Sequence, residues 1–168
     1  MSLGLTIFTL VHVAISLIGI ASGLMVTYGF LTAKRLDGWT TTFLTSTVLT
    51  SVTGFLFPFH ELLASHVVGG ISLVILALAI FARYGRKLAG AWGMRYVIAA
   101  MAALYLNVFV LVVQLFEKIP RLEELAPTQS EAPFVVTQVF VLAVFVVLSV
   151  RAAIRFRQER LEAGINAA

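Results

Sequence analysis

From Leu3 to Leu31 the chain carries no Asp, Glu, Lys or Arg, and an uncharged apolar run of that length has few ways to fold. A bilayer-crossing helix needs about 20 mostly apolar residues, so this run is long enough to span with tilt or to extend past the interface. Four more runs follow, Trp39–Phe59, Leu62–Ala82, Tyr96–Phe116 and Phe134–Val150. They lack the alternation of barrel strands, which need only about 10 residues each. The expected fold is therefore an all-α membrane protein, a single-domain bundle of five transmembrane helices over residues 1–168. Side chains that are 60% hydrophobic and only 12% charged agree, because they are too apolar to cover a soluble surface. No Lys or Arg precedes Leu3, so the basic region of a cleavable signal peptide is missing and the first run is expected to be retained.

The basic residues set a direction. Lys34 and Arg35 follow the first run; Arg83, Arg86, Lys87 and Arg95 separate the third from the fourth; Arg151, Arg155, Arg157 and Arg160 follow the fifth. Lys118 and Arg121 stand on the other side among Glu117, Glu123, Glu124 and Glu131. The positive-inside rule predicts an outside N-terminus and a cytoplasmic C-terminus, as an odd number of crossings requires. The tail "RAAIRFRQERLEAGINAA" is expected to continue the last helix near anionic headgroups. On the other side Pro120 and Pro133 bracket a long connection in which "RLEELA" reads as a short interfacial helix, with Pro133 suited to the first turn of the last span.

Buried polar side chains need partners in lipid, so they report which faces look inward. His12, Ser16, Gly19 and Gly23 recur at helical spacing, and Gly19 to Gly23 is a G-x-x-x-G that lets another helix approach, within the chain or in a homo-oligomer or other membrane partner. The second run holds many hydroxyls, "TTTFLTSTVLTSVTGF". They fall on all sides of a helix, which favours packing over the lining of a solute transporter, since Ser and Thr bond to carbonyls one turn back. Asn107 and Gln114 share a stripe, and with Gln138 they are expected to hold helices together by hydrogen bonds.

The histidines carry the sharpest question. His60 and His66 are six apart, too far around one helix for a metal pair. With Ser65 as a cap, His66 stands in a first turn beside Gly69 and Gly70, where it would face His12 of the first span. Two such imidazoles about 2 Å from one metal would suit a divalent ion, or haem b if a planar slot separates the helices. His60 and Glu61 would add ligands or an outer shell. Against this stands the plainer reading, in which interfacial histidines bond to backbone or headgroups. A pH-sensing role ranks lower.

Other chemistry is poorly supported. Cys is absent, which removes thiolate sites and disulfides. No charge lies inside the apolar runs as assigned, so the carboxylate relay of a proton-driven pump is missing. There is no paired-carboxylate, Ser/His/Asp or phosphate-loop pattern, and no basic patch interleaved with aromatics that would suit nucleic acid. An enzyme is thus the less favoured class.

The strings "TGFLFPF", "SHVVGGISLVILALAI", "ALYLNVFVLVVQ" and "LAPTQSEAPF" resemble a group of small multi-pass proteins of bacterial inner membranes. The likeness covers spans two to five and implies that location, but it brings no activity. The resemblance implies that Ser65-His66-Val67 is kept more readily than His60, which would count against a three-histidine site. The reading that emerges is a membrane protein with a binding or accessory role; a haem or metal protein using His12 and His66 is the main alternative, and a small-solute transporter the second.

Overall fold

A computed structural model describes residues 3–57 and 64–165 of the chain. Every regular element among them is helical: α1 (Leu3–Thr32), α2 (Asp37–Gly54), α3 (Ala64–Ile80) running into a π-helical turn at Phe81–Gly85, α4 (Trp92–Lys118), the short α5 (Pro120–Leu125) and α6 (Ala132–Ile165). Four segments among the described residues are long and apolar enough to cross a membrane: Leu3–Thr32, His66–Gly85, Trp92–Lys118 and Ala132–Gln158. At 18 residues α2 has the length, but its Thr and Ser content leaves it short of that apolarity. The basic tail is one helix with the last span, and Pro120 opens α5 at its first position, where a missing N–H costs nothing.

The outer surface is apolar, with Leu10, Leu17, Val74, Ile98, Phe140 and Val147 all exposed, as contact with hydrocarbon requires. The core is built around α4, which packs on α1, α3 and α6, while α1 lies along α2. Tyr96, Val97, Ala100, Met101, Ala103 and Leu104 of α4 meet Val26, Phe43, Leu76, Phe145 and Ala152 from the other helices. Without a hydrophobic force between helices in lipid, close packing must supply the attraction. Gly23 makes it close: an added Cβ would stand 2.5 Å from Leu104 Cδ1 and 2.9 Å from the Phe43 ring.

One step along the same face, the position of a Gly19 Cβ lies 3.2 Å from Asn107 Nδ2, Ser46 Oγ and Thr47 Oγ1. The close approach encoded by G-x-x-x-G is thus made inside the chain, against α2 and α4. Both glycines are buried there. The hydroxyls of α2 mostly look after themselves: Thr42, Ser46 and Thr53 donate to the carbonyls of Gly38, Thr42 and Leu49.

At the end opposite the basic loops, Glu131 closes the approach to α6. Its Oε1 accepts from Thr128 N–H and Oγ1 at 3.2 and 2.8 Å, and its Oε2 from Ser130 N–H at 3.1 Å. Desolvation is the largest single influence on this carboxyl and pushes it up, yet the bonds from Thr128, its own backbone and Ser130 together outweigh it, so the group sits below its usual range.

Two outcomes follow from these contacts. Gly23→Val should lower the thermal unfolding midpoint by an amount equivalent to about 1–3 kcal/mol of overpacking, whereas Gly70→Ala, with open space at its Cβ, should cause no loss. A carboxyl with a depressed folded pKa stabilises above its unfolded value of 4.5 and loses that contribution as pH falls through the folded one. Protection of the Thr128 and Ser130 amides, taken as the exchange rate relative to the intrinsic rate at each pH, should therefore fall on acidification below the carboxylate range, and Glu131→Gln should remove that fall.

Candidate ligand-binding cavity

The end of the bundle that carries Lys34, Arg35, Arg83, Arg86, Lys87 and Arg95 is shaped by two tight connections. After α1 the chain folds back so that Lys34 N–H reaches Gly29 C=O at 2.9 Å, a Schellman closure that usually has glycine at its left-handed position. Here that position is Ala33, with φ of 55°. After α3 the π turn sends Arg86 N–H to Phe81 C=O and Leu88 N–H to Ala82 C=O, at 2.8 and 3.0 Å, and Lys87 and Leu88 take φ of 48° and 58°. Left-handed non-glycine residues cost about 1–3 kcal/mol each and gather at functional sites; π turns do likewise.

Between these connections lies a cavity of about 770 Å³ walled by α1, α2, the π turn, α4 and α6. Val26, Phe30, Leu36, Leu88 and Phe156 supply apolar lining, and Lys34, Arg35, Lys87, Arg83, Asp37, Thr40, Thr41 and Tyr96 supply polar lining. The π turn carries Arg83 inward, where the side chain is only 16% exposed and pairs with Asp37 at the start of α2. Its guanidinium lies over the Tyr96 and Tyr84 rings, 5.4 and 5.6 Å from their centroids. Tyr96 is itself held by an edge contact with Phe30 at 5.7 Å.

Two donors on this wall are unsatisfied. Tyr96 is 1% exposed, and although its hydroxyl lies near Thr40 and Arg83, neither it nor Arg83 Nε closes a hydrogen bond of good geometry, while both atoms are shielded from solvent. A buried donor left unbonded costs about 1–3 kcal/mol, so both groups call for an acceptor. Beside the cavity, Trp92 is stacked by Arg95 at 4.4 Å and Arg86 at 5.4 Å, the aromatic and basic pairing typical of a membrane interface.

The histidines go elsewhere. His12 Nδ1 meets Thr53 Oγ1 at 2.8 Å and its ring rests on Phe57 at 5.1 Å. His66 is buried in the first turn of α3 and packs on Phe55 at 5.7 Å. Thr53 and Phe55 are two residues apart on a helical path and so face nearly opposite ways. His12 and His66 thus contact different residues at the end of α2, and α1 and α3 share no extended face. Gly69 makes room for the Phe55 ring, 3.2 Å from where its Cβ would be, rather than for α1. Helix α3 already begins at Ala64, which puts Ser65 within its first turn rather than before it. His60 and Glu61 lie outside the described residues, among which no three His, Cys, Asp or Glu side chains converge.

The polar cluster also separates. Asn107 is buried and donates to Thr47 Oγ1 at 3.4 Å, Gln138 donates to Phe109 C=O at 3.3 Å, and Ser16 is half-buried on α1. Gln114 is exposed and bonds to Glu117 one turn on in its own helix. What sequence reasoning missed is the Arg83, Asp37 and Tyr96 group. A signal was present: Asp37 is the only carboxylate in the two basic connections between Thr32 and Tyr96.

Comparison of the chain with protein-family models, curated proteins and solved structures gives no significant match. The local geometry must therefore speak for the site. For the His12–Thr53 contact, a double-mutant cycle of His12→Phe and Thr53→Val should read a coupling of about 0.5–1.5 kcal/mol, the range of polar contacts between membrane helices.

Proposed function

We propose that the protein is a membrane-embedded binding protein whose ligand occupies the cavity at the basic end of the bundle. In this reading five helices cross a bacterial cytoplasmic membrane with the N-terminus outside and the C-terminus in the cytoplasm, and the cavity opens at the cytoplasmic face. The placement of Lys and Arg supports the direction, and the long apolar helices support a membrane location. Helix α2 serves as the fifth crossing because α1 covers it along its length and its hydroxyls bond to its own carbonyls. The observation that carries the binding role is the pair of buried, unbonded donors, Tyr96 Oη and Arg83 Nε, on the wall of a cavity large enough for a small ligand. No nucleophile with an adjacent base lines that cavity, so binding is favoured over catalysis.

Native mass spectrometry of the full chain released from detergent tests the reading. A small molecule should accompany the wild-type protein and be displaced in Thr41→Trp, where the new side chain grows from an exposed position into the cavity. A wild-type spectrum with no bound molecule, or one that Thr41→Trp leaves unaltered, overturns it.

A further inference from the structure

We infer that the ligand is an anionic amphiphile, whose acidic oxygen is taken by Arg83 and Tyr96 in competition with Asp37; this rests on the cavity being a binding site. Four cations, Lys34, Arg35, Arg83 and Lys87, and a single carboxylate, Asp37, line the space, so its field favours a negative group. Both unsatisfied groups are donors, and the group that completes them must be an acceptor. An anion accepts from a guanidinium and a phenol at once and makes the stronger, charge-assisted bonds.

The tail follows from the apolar part of the lining. Val26, Phe30, Leu36 and Phe156 give the cavity apolar surface that a small hydrated anion such as free phosphate leaves unused. At the end of helices that are otherwise lipid-facing, a molecule with an acidic head and a hydrocarbon tail fills both halves. The role of Asp37 is that of a resident counter-ion. It holds one arm of Arg83 while leaving Nε free, and at 75% exposed it is able to yield that arm to an incoming acid.

The geometry predicts opposite effects from neighbouring substitutions. Arg83→Gln removes a charge-assisted donor and should weaken binding about ten- to a hundredfold. Tyr96→Phe keeps the ring against Phe30 and Arg83 and should weaken it by a few fold. Asp37→Asn removes the competitor and should tighten binding by a few fold. A gain of affinity in one variant separates recognition from damage to the fold.

The test is the thermal unfolding midpoint of delipidated full-length protein in a neutral detergent, titrated with dioleoyl phosphatidylglycerol, with dioleoyl phosphatidylcholine and with inorganic phosphate. A ligand that binds only the folded state raises the midpoint with its concentration, so half-saturating concentrations give the ratios above. Phosphatidylglycerol should act at lower concentration than phosphatidylcholine, inorganic phosphate should have little effect, and the three variants should shift the phosphatidylglycerol curve in the directions given. Equal action of the two lipids overturns the inference of an acidic head. Equal action of inorganic phosphate overturns the inference of a tail, and variants that leave the curve unmoved overturn the assignment to Arg83, Tyr96 and Asp37. None of these results touches the broader binding role, which stands or falls on the mass spectrum of wild type against Thr41→Trp.

Discussion

The arrangement depends on how closely α1 can approach α2 and α4. In hydrocarbon, apolar side chains gain nothing by leaving lipid for one another, and attraction has to come from contact at short range. Gly23 permits that contact by letting Leu104 and Phe43 lie where a side chain would be. At the level of Gly19 the same approach brings Asn107 to Thr47, so a buried amide finds its partner only because a glycine stands opposite. The seam extends to Val26 and Gly29, which line the cavity. Packing in the middle of the bundle and the shape of the cavity at its end are set by one face of α1.

Much of this was legible in the sequence for plain physical reasons. A run without charge that is long enough to span has to satisfy its backbone internally, and α1, α4 and α6 lie close to where hydropathy puts them. Self-bonding of the α2 hydroxyls follows from the chemistry of Ser and Thr next to a helical carbonyl. Helix α5 and the continuous basic helix also agree with the pattern of Pro and charge. The partners of the histidines were not legible, because facing polar residues on two helices says nothing of what a third helix brings to each. Thr53 and Phe57 meet His12, and Phe55 meets His66.

The Arg83 group was hidden for a different reason. A count of charges assigns Arg83 to a loop, since an apolar run is taken to end at its first cation. The helix instead continues through a π turn, and the side chain turns inward onto two tyrosines and an acid from another helix. Each of these partners is ordinary in sequence. Only their meeting, between the first residue of α2, the π turn after α3 and the first turns of α4, makes them a site.

Helix α6 is a single rod from Ala132 to Ile165, about 50 Å long at 1.5 Å per residue, well beyond the hydrocarbon thickness. One end emerges from the Glu131 loop, and far along it Phe156 forms part of the cavity wall. One uninterrupted element therefore supplies residues to both ends of the bundle, and the spacing between the acidic loop and the cavity wall is a fixed number of helical turns.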